Sequence, residues 1–174
     1  MYDRTDLLKI VAAACPAPIC AEVGVYKGQY ARQMLDTLNP AQLVLIDPWG
    51  QISDGTYADY PNNDVIEWDR IAARVINGLG ARPNVTVMRT LSLLASASFP
   101  DAHFDFIYVD ANHSYEAVKA DLTAWLPKVK PGGFIGGHDI DRREVRRAVM
   151  EVIGHLSPKI TEKSGLKSYL AVVA

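Results

Sequence analysis

The feature that most constrains the fold is a regular alternation between short apolar runs and segments with helical spacing of apolar residues. Five apolar runs have the length and composition of buried strands: PICAEVGV, AQLVLID, NVTVMRT, FDFIYVD and FIGGHD. Helical spacing is found between or beside them, at Asp6–Ala14, Tyr30–Leu38, Asp64–Leu79, Leu91–Ser98, Ser114–Leu126 and Arg142–Gly154. Apolar strands that alternate with helices predict an α/β fold whose mainly parallel sheet carries helices on both faces.

The C-terminal segment departs from this alternation. The runs PKITEK and SYLAVV follow one another with only the turn at Ser164–Gly165 between them. Strands joined by so short a turn pair in antiparallel fashion. We therefore predict a seven-stranded sheet that ends in an antiparallel hairpin, within a single domain over residues 1–174.

Polar residues stand at the ends of the predicted parallel strands. Glu22 and Gly24 close the first strand, Asp47 the second, Asp110 the fourth and Asp139 the fifth. The carboxyl ends of parallel strands meet at one edge of a sheet, and ligands bind outside that edge. The sequence therefore predicts a ligand site that collects these side chains.

The first strand leads into AEVGVYKGQY, a glycine-containing turn before a helix. Gly24 and Gly28 would let the backbone approach a ligand closely, although a plain strand-to-helix turn explains them equally well. The turn lacks the middle glycine of a dinucleotide fingerprint and the GK[ST] of a P-loop. Asp47 follows at the position where an acid can hold ribose hydroxyls, or it forms an Asx-turn ahead of Pro48.

Taken together, EVGVYKG, LVLID, DFIYVDANHSY and VKPGGFIGGHD resemble the motifs of class I S-adenosylmethionine-dependent methyltransferases. Within that superfamily the chain is most similar to a small bacterial family that includes macrocin-type O-methyltransferases. The resemblance extends from about Ile19 to Val173. It implies the Rossmann-like class I methyltransferase fold and S-adenosyl-L-methionine as cofactor.

The resemblance also implies roles for individual residues on the cofactor side. Glu22 and the Gly24–Gly28 turn would surround the methionine portion, and Asp47 would hold the ribose hydroxyls. Asp110 would lie near the transferred methyl group. Thr90, Leu91 or Ser92 would lie beside the adenine, and Ser92 is our choice among them. Trp49 would cover the adenine, or it is a hydrophobic anchor of the loop that follows.

On the acceptor side, metal-dependent members of the superfamily bind a divalent cation such as Mg²⁺ or Mn²⁺. Asp110, His138 and Asp139 match the three metal-binding positions, although an imidazole replaces the usual carboxylate or amide at His138 and favours softer cations than Mg²⁺. His113 matches the position of a general base. The open alternatives are a site without metal, in which His138 is the base or a wall of the pocket, and a helix cap formed by Asp110 with His113 at the surface.

Charge and composition exclude several other classes. A net charge of −2 with no long basic run argues against a nucleic-acid partner, and the arginine cluster at residues 142–147 has the spacing of a solvated helix face. No apolar run is long enough to span a membrane and no signal-peptide pattern begins the chain, so we expect a cytoplasmic protein. Cys15 and Cys20 form no metal-binding or redox motif.

The expected function is O-methylation of a small hydroxylated acceptor such as a sugar, a natural product or a catechol-like molecule. His113 and Asp110 would be the catalytic residues. The segment Trp49–Asn63, which lacks periodicity, would close over the acceptor, or a second subunit of a homodimer would complete the pocket. The competing hypotheses are a domain that binds S-adenosylmethionine or S-adenosylhomocysteine without catalysis and a metal-independent methyltransferase.

Overall fold

The computed structural model describes residues 4–50, 65–161 and 167–174 of the chain. The elements in chain order are α1 (Arg4–Ala14), β1 (Ile19–Val23), α2 (Gln29–Leu38), β2 (Gln42–Ile46), α3 (Val65–Gly78), β3 (Val85–Met88), α4 (Ser92–Ser96), β4 (Phe104–Val109), α5 (Tyr115–Trp125), β5 (Val129–Gly137), α6 (Arg143–Ile153), β6 (Lys159–Ile160) and β7 (Tyr169–Val172). Short 3₁₀ turns at Leu126–Lys128 and Gly154–Leu156 follow α5 and α6.

All seven strands form one sheet in the order β3-β2-β1-β4-β5-β7-β6. The pairs among β1 to β5 are parallel, whereas β7 pairs antiparallel with both β5 and β6. This confirms the predicted fold class, including the antiparallel C-terminal strands. The turn predicted at Ser164–Gly165 lies outside the described residues, as does most of the predicted lid, from residue 51 to residue 63.

Two apolar cores cover the two faces of the sheet. Alternate strand residues such as Leu43 and Leu45 pack under α1, α2 and α3 on one face. Their neighbours Val44 and Ile46 pack under α4, α5 and α6 on the other face. Because strand side chains alternate between faces, strands buried on both sides must be almost wholly apolar, as the sequence shows.

Two local features define the starts of α2 and α5 beside the carboxyl ends of the strands. Gly28 begins α2 with φ of 70°, a left-handed conformation that favours glycine. A Cβ at Gly28 would lie 2.7 Å from the Cδ1 of Leu79, so this glycine also allows α2 to approach the end of α3. Ser114 caps α5, where its Oγ accepts a hydrogen bond from the backbone N–H of Ala117 at 3.3 Å.

Within the described part of the chain, no helix has the length and apolar character needed to cross a membrane.

Candidate active site

The carboxyl ends of β1, β2 and β4 surround a cavity of about 240 Å³. It is lined by Arg4, Glu22, Gly24, Val25, Tyr26, Lys27, Gln29, Tyr30, Asp47, Asp110, Ala111, Asn112 and His113. The cavity thus contains five of the residues predicted from sequence, namely Glu22, Gly24, Asp47, Asp110 and His113. Gly28, Trp49 and Ser92 do not belong to this set of lining residues.

Gly24 permits the closest approach of two strand ends at this edge. It adopts φ of 88°, and a Cβ there would lie 2.1 Å from the carbonyl oxygen of Asp110. A side chain at this position would therefore collide with the backbone that follows β4. The glycine allows the turn after β1 and the turn after β4 to form one continuous cavity wall.

Glu22 is a buried carboxylate in this wall, with 2% of its surface exposed. Burial, with the nearby charge of Asp110 as the next cause, raises the pKa of Glu22 well above its usual range, although Arg4 opposes the shift. Its Oε2 has no hydrogen-bond partner within the described ranges. A buried acceptor without a partner is costly, so this oxygen is suited to receive a ligand donor.

Asp47 organises the glycine turn. Its Oδ2 accepts hydrogen bonds from the backbone N–H groups of Val25 at 2.9 Å and Tyr26 at 2.8 Å. Its Oδ1 accepts from the N–H of Trp49 at 2.7 Å, which is the Asx-turn considered above. The carboxylate of Asp47 therefore holds both the turn after β1 and the start of the segment after β2.

The other predicted cofactor residues have inward-facing contacts. Trp49 is fully buried, and its indole N–H donates to the carbonyl of Tyr26 at 2.8 Å, which favours the anchoring interpretation of this residue. The hydroxyl of Ser92 donates to Asp121 at 2.5 Å and accepts from the indole of Trp125 at 2.9 Å. A contact between either residue and adenine remains a prediction.

A charged cluster stands where the cavity meets the ends of β4 and β5. The Nε2 of His113 lies 2.7 Å from an oxygen of Asp139 and 3.7 Å from one of Asp110. The Nδ1 of His138 lies 3.2 Å from Asp139 and 3.7 Å from Asp110. Arg142 approaches Asp139 at 3.3 Å, although its side chain is exposed like the rest of the arginine cluster.

The protonation of this cluster follows from its geometry. Burial alone would lower the pKa of His113, but the nearby carboxylates of Asp110 and Asp139 raise it to about 9. Burial opposes ionisation of Asp139, but the close contact with His113 and the charges of His138 and Arg142 leave its pKa below the usual value. At neutral pH His113 is therefore an imidazolium paired with Asp139.

The cluster also has the donors of a cation site. Single ligand atoms of Asp110, His113 and Asp139 all lie within 4.8 Å of one another. This set shares Asp110 and Asp139 with the predicted metal site and contains His113 in place of His138. Asp139 has φ of 57°, an uncommon conformation for a residue other than glycine, and such strain often accompanies functional sites.

Asp110 does not cap a helix, because Ser114 occupies the cap position of α5. Its carboxylate instead contacts the two histidines and the guanidinium of Arg4, which lies 3.4 Å away. Arg4 was missed by sequence reasoning. It is separated from Asp110 by 106 positions and belongs to an ordinary amphipathic helix, so no local signal marks it.

A family model described as a methyltransferase domain matches residues 21–140, which is more than half of the chain. The strand order and the cavity at the ends of β1, β2 and β4 are those of class I S-adenosylmethionine-dependent methyltransferases. The chain belongs to this methyltransferase-domain family and has the fold of class I S-adenosylmethionine-dependent methyltransferases.

Solved structures share the fold at low sequence identity. Cofactor-bound Rv0187 from MTB is 15% identical with a TM-score of 0.68, over 99% of this chain and 81% of that one. The N-methyltransferase NodS from Bradyrhizobium japonicum is 15% identical with a TM-score of 0.62, over 98% and 94%. An O-methyltransferase family protein from Burkholderia thailandensis is 12% identical with a TM-score of 0.66, over 98% and 55%.

Among curated proteins, an uncharacterized protein y4gI from Sinorhizobium fredii is 41% identical over 44 residues. That match spans 25% of this chain and only 5% of the relative's length. Its similarity is therefore local.

Proposed function

We propose that this chain transfers the methyl group of S-adenosylmethionine to a hydroxyl of a small molecule, such as a sugar, a natural product or a catechol-like compound. One observation carries the proposal: Asp110 and His113 line the cavity and also belong to the charged cluster with Asp139. A cofactor in the cavity and an acceptor at the cluster would therefore meet at these two residues.

The cavity residues fit the polar groups of the cofactor. Glu22 offers a buried carboxylate oxygen that has no partner within the described residues, and this oxygen suits an ammonium group. Asp47 also lines the cavity, and we assign the ribose hydroxyls to it. The cofactor supplies a methyl group on a sulfonium, and the departing thioether is its own leaving group.

The protein must then position the acceptor oxygen and remove its proton. His113 is the proposed base, because its imidazole stands at the junction of the cavity and the cluster. With its pKa raised to about 9, it accepts a proton only once its own has been released. Higher pH favours that release, and so does another cation that takes over the oxygens of Asp110 and Asp139.

Asp110, His138 and Asp139 would hold such a cation, and His113 would stay outside this ligand set as the base. Two carboxylates with an imidazole donor suit Mn²⁺ or a softer ion better than Mg²⁺. A bound divalent cation would lower the pKa of an acceptor hydroxyl and orient its oxygen.

A metal-independent methyltransferase is the second candidate. His113, at 2.7 Å, and Arg142 both contact the carboxylate of Asp139 and would neutralise its charge without a metal ion. In this candidate His113 and Asp139 would form a base and its orienting acid, and the acceptor would bind through hydrogen bonds alone.

Calorimetric titration with S-adenosylhomocysteine, with and without Mn²⁺, tests the proposal together with methyl transfer to a panel of sugars and catechols. We expect binding in both conditions and transfer that Mn²⁺ stimulates. Asp139→Asn should abolish the stimulation, while Asp141→Asn, an exposed acid two residues away, should keep it. Failure of S-adenosylhomocysteine to bind would contradict the cofactor role, and transfer indifferent to Mn²⁺ would favour the metal-independent candidate.

A further inference from the structure

Arg4 is fixed at the cavity by the helix to which it belongs. Leu7, Leu8 and Val11 bury one face of α1 in the core, so the first turn of the helix has a defined position. The guanidinium carbon of Arg4 lies 3.8 Å from the ring centroid of Tyr30, and the stack fixes the plane of the guanidinium. Only 31% of the side chain is exposed.

Within the described residues, the hydrogen-bonding capacity of this guanidinium is only partly used. Its contact with Asp110 is long, at 3.4 Å. Its Nε is buried and has no hydrogen-bond partner in the part of the chain that the structure describes. A guanidinium presents its donors in a fixed fork that matches a carboxylate, so the unpaired Nε and the long contact with Asp110 indicate an anionic ligand group.

The same cavity contains the complementary feature. Glu22 has a buried oxygen with no partner within the described ranges, and Glu22 pairs in register with Tyr108 of β4. The guanidinium of Arg4 lies 5.2 Å from the ring centroid of Tyr108, so Glu22 and Arg4 flank one region of the cavity. A ligand with an ammonium and a carboxylate on the same carbon fits this arrangement.

We propose that Arg4 binds the carboxylate of the methionine portion of the cofactor, while Glu22 receives its ammonium group. Arg4 then makes the site selective for ligands that carry the carboxylate. This inference rests on the proposed function, because it assigns a further residue to the same cofactor site.

The alternative is that Arg4 only neutralises the buried Glu22 and the half-buried Asp110. The two roles differ in what they predict for ligands that lack the carboxylate. A neutralising residue supports the cavity as a whole, so its loss weakens every adenosine ligand similarly. A carboxylate-binding residue matters only for ligands that have the carboxylate.

Calorimetry with three ligands separates these roles. S-adenosylhomocysteine has the ammonium and the carboxylate, its decarboxylated analogue keeps only the ammonium, and methylthioadenosine lacks both. In Arg4→Gln we expect the affinity for S-adenosylhomocysteine to fall about 10- to 100-fold, as for a lost charge-assisted hydrogen bond. The affinities for the other two ligands should change by less than about threefold or improve.

Lys9→Gln is the matched control, because it removes one positive charge from an exposed position of the same helix. It should preserve the ratio of affinities for S-adenosylhomocysteine and its decarboxylated analogue. An equal loss for all three ligands in Arg4→Gln would overturn the inference. If Lys27→Gln, at a lysine that also lines the cavity, shows the selective loss instead of Arg4→Gln, the inference is overturned as well.

Retained binding of methylthioadenosine shows that an Arg4 variant is folded, so a loss of S-adenosylhomocysteine binding is then specific. The failure of the inference is also distinct from the failure of the proposed function. If the unmodified protein binds S-adenosylhomocysteine and Arg4→Gln does not discriminate, only the role of Arg4 is wrong. If the unmodified protein binds none of the three ligands, the cofactor site itself is wrong.

Discussion

At the scale of single residues, His113 is placed to act as a base but is protonated at neutral pH. It lines the cavity and contacts two carboxylates, which hold the imidazolium form beyond neutral pH. The two contacts that position the ring therefore also keep it protonated, and a protonated imidazole cannot act as a base. A histidine read from sequence alone, near its ordinary pKa, would not show this opposition.

For His113 we expect a pH-dependent effect on turnover. Without added metal, turnover should rise as the pH approaches about 9, because the imidazole must release its proton before it can accept one. His113→Gln should lower turnover about 10²- to 10⁴-fold and remove that rise. Initial rates across pH 6–10, with S-adenosylhomocysteine affinity as a check on folding, would measure both effects.

His155→Gln is the control for this measurement, since His155 is exposed beyond α6. It should keep the rate and its pH dependence. A His113→Gln variant with an unchanged profile would exclude the base role.

A second residue, Asp121, makes stability depend on pH. It is 6% exposed, and burial raises its pKa to about 6, against the opposing hydrogen bond from Ser92. Between pH 4 and pH 6 the folded protein keeps a proton that the unfolded chain releases, so stability falls as the pH rises through this range. The cost at neutral pH is about 3 kcal/mol.

Asp121→Asn should therefore gain up to about 3 kcal/mol of unfolding free energy at pH 7.5 relative to the unmodified chain and little at pH 4. Urea unfolding at both pH values measures the difference. Asp101→Asn, at an exposed and ion-paired acid, should follow the unmodified profile. A gain for Asp121→Asn that is equal at both pH values would contradict the burial argument.

At the scale of elements, the turn after β1 and the end of β4 are packed as one unit. Gly24 approaches the backbone carbonyl of Asp110 so closely that any side chain would separate the two strand ends. This packing explains why the glycine is required even though it belongs to no dinucleotide fingerprint. It also couples the shape of the cavity to the position of Asp110.

Gly24→Ala should lower the free energy of unfolding by about 3 kcal/mol or more and weaken S-adenosylhomocysteine binding, because steric overlap adds to backbone strain. Gly132→Ala isolates the strain, since Gly132 has φ of 79° and no atom within 4 Å of its Cβ position. It should cost about 1–2 kcal/mol and leave binding unchanged. Equal losses in the two variants, measured by urea unfolding, would show that close approach is unimportant.

At the scale of the whole molecule, ligand binding should be visible as stability. S-adenosylhomocysteine at 100 times its dissociation constant should add about 2.7 kcal/mol to the free energy of unfolding, because only the folded chain has the cavity. Mn²⁺ should add a further increment through Asp110, His138 and Asp139. Thermal unfolding with each ligand alone and with both measures these increments.

Asp139→Asn should lose the Mn²⁺ increment and retain that of S-adenosylhomocysteine, since Asp139 is outside the set of cavity-lining residues. An unchanged Mn²⁺ increment in this variant would place any bound cation elsewhere.

The sequence by itself determined the elements and their class. Apolar runs such as LVLI of β2 and FIYV of β4 can only be buried on both faces, and helices between them require a parallel sheet. Ligands bind outside the carboxyl ends of parallel strands, and this rule correctly predicted that Glu22, Asp47, Asp110 and Asp139 lie at one edge. It depends on topology and not on side-chain detail. Local signals also suffice for the start of α5, where Ser114 is the cap.

Only the tertiary structure decided which side chains share a contact. It joined Arg4 to Asp110 and Tyr30, paired His113 with Asp139, and turned Trp49 and Ser92 toward interior partners. Such contacts depend on where the helices pack and which rotamers the side chains adopt, between residues that are far apart in sequence. The periodic patterns of a sequence carry no information about them. Burial and proximity then set the pKa of His113 and of Glu22, and these quantities exist only once the chain is packed.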